Sequence, residues 1–141
     1  MSVPNPLLGP LIALVAWSLV MWVWMYATRL PALRTAKMRL DRNRPRGEQM
    51  SELPPAVRWK ADNYNHLMEQ PTLFYAIVLV LAVAGDMSSS SLILAWTYTG
   101  LRVVHSLLQA LVNTIELRFA LFALSTLPLF GLTYNAATRV W

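Results

Sequence analysis

The sequence predicts an all-α integral membrane protein, a four-helix bundle, on three observations. First, 56% of its 141 residues are hydrophobic and only 13% are charged, a balance too apolar for an ordinary soluble domain. Second, residues 7–28 and 119–138 carry no charged side chain, and helical runs of that length span about 30 Å of hydrocarbon. Third, nine of the twelve Lys and Arg residues fall between Arg29 and Lys60. A basic block between apolar spans marks a loop retained on the cytoplasmic side. The length suits one domain covering residues 1–141. The absence of cysteine excludes disulfides and thiolate metal sites.

The first helix is expected over residues 7–28. The opening MSVPNPLLGP has no basic stretch ahead of the apolar run and no small-residue cleavage site. It therefore reads as a retained helix and not as a signal peptide. Residues 29–53 form a basic loop, and its charged, apolar-poor stretch from Arg39 to Met50 is the segment expected to be most mobile. The second helix starts near Pro54 and Pro55, residues suited to a first turn, and runs to about residue 84. Gly85, Asp86 and the Met87-Ser88-Ser89 run read as a turn. The third helix is expected over residues 90–113 and the fourth over residues 117–138. Pro71 and Pro128 fall inside helices, where membrane proteins tolerate kinks. Trp17, Trp22 and Trp24 are expected to face lipid or the interface.

Sidedness follows from the charges. The basic loop is expected in the cytoplasm, with both termini and the Asp86 turn on the exterior side and the turn near Glu116 inside. Nucleic acid is not an expected partner, because the flanking apolar spans give the basic block a topogenic role. Anionic lipid or an acidic substrate is the other reading of residues 34–46.

Two polar constellations interrupt the apolar pattern. In RWKADNYNHLMEQPTLFY, residues 58–75, Asp62, Asn65, His66 and Glu69 follow the i, i+3, i+4, i+7 spacing of one helix face. On the third helix Arg102, His105 and Gln109 share a stripe, and Arg102 falls near the middle of an apolar span. An isolated guanidinium there is costly, so Arg102 is expected to face the bundle interior, a water-filled cleft or a partner carboxylate, for which Glu69 or Asp62 of the second helix is the candidate. The same residues also have bland readings. Arg102 with its carboxylate would then be interhelical glue, and His105, Gln109, Asn63 and Asn65 hydrogen-bonding bundle residues. His66 and His105 with Asp62 and Glu69 are a weak metal pattern, and no metal site is expected. A small proton or solute pathway lined by Arg102, His105 and Glu69 is a further class.

The ordered set resembles the MAPEG family, the membrane-associated proteins of eicosanoid and glutathione metabolism. The likeness rests on the four-helix plan, the basic first loop, Asn65-His66 ahead of Pro71, and Arg102-x-x-His105 followed by Arg118. It extends over nearly the whole chain, and is that of a bacterial-type member similar to the microsomal glutathione transferase and prostaglandin E synthase branch. The resemblance implies a homotrimer that binds glutathione between adjacent subunits, near the cytoplasmic side. It also implies conjugation, peroxide reduction or isomerisation of a lipophilic substrate. Asn65 matches the family's glutathione-binding Asn, and Arg118 the Arg proposed to stabilise the thiolate. Three positions depart from the pattern. Met68 stands where a Glu is usual, with Glu69 one residue later, and Gln109 and Phe119 replace a Tyr and a Ser.

The chemistry gives these residues roles. A cation beside the glutathione sulfur favours the reactive thiolate, and arginines clamp carboxylates in bidentate pairs. The expected assignment is Arg118 to the thiolate, Arg102 and Asn65 to anchoring, and Glu69 or Asp62 to the ammonium. Asn63, His105 and Gln109 complete the expected site. The reading is a glutathione-dependent transferase or peroxidase acting on a lipophilic electrophile or lipid hydroperoxide. The alternative is a noncatalytic lipid-binding or scaffold protein on the same fold.

Overall fold

A computed structural model describes residues 4–45 and 47–141. The described residues form five α-helices and one 3₁₀ turn, and no strand. Helix α1 is Leu8–Thr35, α2 Pro55–Leu67, α3 Gln70–Val83, α4 Ser89–Leu111 and α5 Ile115–Val140. Three segments are long and apolar enough to cross a membrane: α1, the α2–α3 run Pro55–Val83, and α5. Helix α4 has 23 residues and dilutes its apolar run with Arg102, His105, Ser106 and Gln109. With the family placement below, this is an integral membrane helical bundle.

The span expected as one second helix is two helices. Helix α2 ends at Leu67, and Glu69 has φ −92° and ψ −101° before α3 begins at Gln70. Pro71 is the cause. Its ring crowds the carbonyl four residues back and it has no N–H to donate, and the non-helical backbone falls at Glu69, two residues before it. Helix α1 runs past the charge-free segment to Thr35 and takes Pro31 into its interior.

The apolar core joins Leu7, Leu11 and Leu14 of the first span to Phe74, Val78 and Leu81 of α3 and to Leu129 and Leu132 of α5. Phe74 stacks on Tyr98 of α4 with ring centres 4.5 Å apart. Gly131 of α5 lies against α4, and a Cβ there would stand 2.9 Å from Leu94 Cδ1. A side chain there would have to displace Leu94.

The end of the bundle near Asn5 and Arg139 is closed by a satisfied polar clasp. Gly85 takes φ +72°, a turn conformation suited to glycine, and Asp86 follows, fully buried. Its carboxylate accepts from the Ser88 N–H at 2.8 Å and from the Ser91 hydroxyl, and pairs with Arg139 of α5 at 2.6 Å. Asn5 donates to the Asp86 carbonyl at 3.0 Å, and Asn135 to the Ser91 hydroxyl at 2.9 Å. Burial alone would raise the Asp86 pKa. The Ser91 and Ser88 hydrogen bonds and the Arg139 charge outweigh it, so the carboxyl titrates below its ordinary value.

Candidate functional site

The opposite half of the bundle is built around Arg102, which is fully buried on α4. Its Nη2 donates to the main-chain carbonyl of His66 at 3.1 Å. The break at Pro71 makes that acceptor available: the Glu69 N–H reaches the same carbonyl only at 3.4 Å. The guanidinium therefore meets the C-terminal end of α2, where unpaired carbonyls carry partial negative charge. Its Cζ lies 5.7 Å from the centre of the Phe122 ring.

Among the described residues no carboxylate forms an ion pair with Arg102, so the expected Glu69 or Asp62 partner is not found. The reason lies in the break. It takes Glu69 out of the helix and leaves its side chain 67% exposed, 3.7 Å from His66 Nε2. Asp62 is also exposed, on another face of α2.

That difference divides the stripe expected on the second helix. His66 faces α4 and α5, with its ring centre 4.9 Å from His105 and 5.3 Å from Phe122. These three residues line a cleft of about 230 Å³ with Ile115, Arg118 and Phe119. Arg118 is held at the start of α5 by donating from Nη1 to Asn113 Oδ1, and Asn113 has the positive φ of 59° that Asn tolerates. Asp62 and Asn65 instead line a second cleft of about 400 Å³ with Arg29, Arg58, Gly47 and Ser51. The two clefts share no lining residue.

A third group lies between them, inside the bundle. The Ser106 hydroxyl accepts from Asn63 Nδ2 at 2.6 Å and from Trp17 Nε1 at 2.9 Å, tying α2 and α1 to α4. Trp17 thus turns inward, contrary to the expectation that it faces lipid, because its indole N–H finds a buried acceptor. Trp22 is exposed, and Trp24 carries the buried Lys60 ammonium 5.1 Å from its ring centre. Gln109 is buried one turn beyond His105.

Nine buried side-chain polar atoms lack a hydrogen-bond partner among the described residues, and eight lie in this half of the molecule. They are Arg29 Nε, Arg58 Nε, Asn63 Oδ1, His66 Nδ1, Arg102 Nε and Nη1, Gln109 Oε1 and Arg118 Nε; the ninth is the Tyr75 hydroxyl. Buried polar groups are ordinarily paired, so such a concentration, mostly of cationic donors, suits an anionic ligand. Among the described residues no group of three or more His, Cys, Asp or Glu side chains is placed to hold a metal.

Four contributors were missed in the sequence: Arg29, Arg58, Ser106 and Phe122. Arg58 carried a signal, since Arg58, Asp62 and Asn65 stand at i, i+4 and i+7. Ser106 lies four residues after Arg102, but a serine in an apolar helix carries little signal alone. Arg29 and Phe122 carried none, because their place depends on how α1 and α5 pack.

The described molecule is thus a membrane helical bundle whose basic-loop half buries a cluster of under-paired cations and amides. The MAPEG family model matches residues 7–138, and the chain belongs to the MAPEG family. No curated protein and no solved structure matches it.

Proposed function

We propose that the protein is a membrane-bound, glutathione-dependent transferase or peroxidase of the microsomal glutathione transferase and prostaglandin E synthase type, acting on a lipophilic electrophile or lipid hydroperoxide. The observation that carries this reading is the set of buried, unpartnered arginine nitrogens on Arg29, Arg58, Arg102 and Arg118. Family membership is consistent with glutathione-related chemistry.

Glutathione supplies a thiol that reacts as the thiolate. Arg118 lowers the cost of that charge and so holds the proton off the sulfur at neutral pH. Arg29 and Arg58 clamp carboxylate, Asn65 donates or accepts beside them, and Asp62 meets the ammonium. Glu69 is free to serve the same ammonium from its exposed position. Arg102, behind the Arg118 cleft, gives its free Nε and Nη1 to anchoring glutathione, His105 lines that cleft, and Asn63 and Gln109 position it through α2 and α4. Phe119 and Phe122 give the cleft an apolar wall for a substrate arriving from the bilayer.

The Arg118 cleft and the Asn65 cleft lie on different faces of one protomer. A homotrimer joins them, with the α5 end of one copy closing the α1–α2 cleft of the next. The basic loop and these clefts then lie on the cytoplasmic side, with both termini outside. Native mass spectrometry in mild detergent should give trimers. Added glutathione should give a thiolate absorbance at neutral pH that Arg118→Ala removes. Monomers only, or no thiolate band with wild-type protein, would overturn the proposal.

One observation favours a second reading, a noncatalytic lipid-binding protein. An apolar groove of about 430 Å³ runs between α3 and α5, lined by Leu73, Ile77, Val80, Leu129 and Phe130, with Gln70 and Thr126 bonded to each other at 3.0 Å. Tight lipid retention with no glutathione binding would select that reading.

A further inference from the structure

We infer that the described part of the loop after α1, around Arg39, Leu40 and Arg42, is a docking surface for anionic phospholipid headgroups, adjoining the cleft of Asp62 and Asn65 only through Gly47 and Met50. Helix α1 has 28 residues, about 42 Å at 1.5 Å per residue. That exceeds the hydrocarbon thickness of about 30 Å. Its last turns, beginning at Arg29, therefore stand at the level of the lipid phosphates, and the loop begins there.

The loop is pinned. Gln49 is buried and closes a ring with Asp41: it accepts from the Asp41 N–H at 3.0 Å, and its amide donates back to the Asp41 carbonyl. Leu53 anchors the far end at 2% exposure. This frame holds Leu40 outward at 67% exposure, between the exposed Arg39 and Arg42. Arg34 and Lys37 are exposed beside them. An apolar tip flanked by cations matches a headgroup layer, where the tip enters the acyl boundary and the cations meet phosphate.

The acids of the loop do not cancel this charge: residues 34–52 hold six bases, Arg34, Lys37, Arg39, Arg42, Arg44 and Arg46, against three acids, Asp41, Glu48 and Glu52, and Glu52 is taken by Arg44 at 2.6 Å. Arg42 has no ion-pair partner among the described residues. Beneath it lies an open cup of about 460 Å³, lined by Leu40, Arg42, Arg44, Pro45 and Gln49 among others, a volume that admits a phosphate headgroup. A loop that is basic for topology alone has no need of a pinned frame or an outward Leu40.

The test uses the full-length protein in nanodiscs, so that insertion is already complete and a topogenic role is silent. Discs of a zwitterionic lipid would contain a minor fraction of phosphatidylglycerol. Retention of that lipid on the protein would be read by native mass spectrometry after ejection into detergent. Wild type should retain phosphatidylglycerol above its mole fraction. Arg39→Gln with Arg42→Gln should weaken retention about 25-fold, at roughly fivefold per neutralised base near the membrane surface. Leu40→Ser should weaken it less. Added salt should weaken wild-type retention and leave the double variant little changed. Equal retention in wild type and double variant, or displacement of the lipid by millimolar glycerol phosphate, would overturn the inference. Unchanged glutathione binding in the double variant separates its failure from failure of the proposed enzyme function.

Discussion

The two ends of this bundle treat buried polarity in opposite ways. At the end near Asn5 and Arg139, buried Asp86 has a hydroxyl donor, a main-chain donor and an arginine, and Asn5 and Asn135 tie the neighbouring chain into the same network. At the loop end, Arg102 is equally buried yet makes one hydrogen bond to protein, and eight buried polar atoms in that half, two of them its own, have no partner among the described residues. A satisfied cluster stabilises a fold, whereas an under-satisfied one lowers stability. Its persistence is accounted for when a ligand completes it. The comparison separates architecture from site without reference to residue type, since each end has an arginine, a carboxylate and an asparagine within reach.

The largest expected effect that sharpens this contrast is on turnover. Arg118→Ala should lower kcat about a hundredfold or more, because it removes charge stabilisation of the reacting thiolate, and leave KM for glutathione within a few fold. Steady-state kinetics against a hydrophobic electrophile would check it. A large KM change at constant kcat would move Arg118 to the anchoring set.

Opposite stability effects come next. Asp86→Ala should destabilise by about 3 kcal/mol, since it removes several charge-assisted hydrogen bonds from a buried site. Arg102→Met should raise the unfolding temperature of the ligand-free protein, since it replaces an under-paired buried charge with an apolar chain of similar length, while it abolishes glutathione binding. Thermal unfolding in detergent reads both. If Arg102→Met unfolds earlier, the His66 carbonyl bond is worth more than the contrast allows.

A smaller effect is pH-dependent. The Asp86 carboxyl titrates below its ordinary value of 3.8 when folded. Its contribution is therefore fully present above about pH 3.8 and lost as pH falls through the depressed folded value. The stability gap between wild type and Asp86→Asn should be flat near neutrality and narrow only under strong acid. The smallest effect is on binding alone. Asn65→Ala should raise KM about tenfold with little change in kcat, as expected for one lost hydrogen bond distant from the sulfur.

Particular residues show how far the sequence could be read. The stripe Arg102, His105, Gln109 was legible because helical spacing alone puts those residues on one face, and all three are buried on α4. The partner of Arg102 was not legible. Pro71 was visible as a kink, but that the kink would expose the His66 carbonyl and turn Glu69 outward depends on the backbone at residues 68–69. The stripe of Asp62, Asn65, His66 and Glu69 divided for the same reason and because α1 and α5 approach α2 from different sides. Trp17 was misplaced because nothing in its sequence neighbourhood distinguishes an inward indole from a lipid-facing one. Its acceptor, Ser106, is 89 residues away.

The measurement that tests the contrast most directly is calorimetric titration of glutathione into the purified wild-type protein and its Arg102→Met and Asp86→Asn variants. The account predicts saturable binding to wild type, the same affinity within a few fold in Asp86→Asn, and no binding in Arg102→Met. Absence of binding to wild type would contradict it, as would equal affinity in all three proteins.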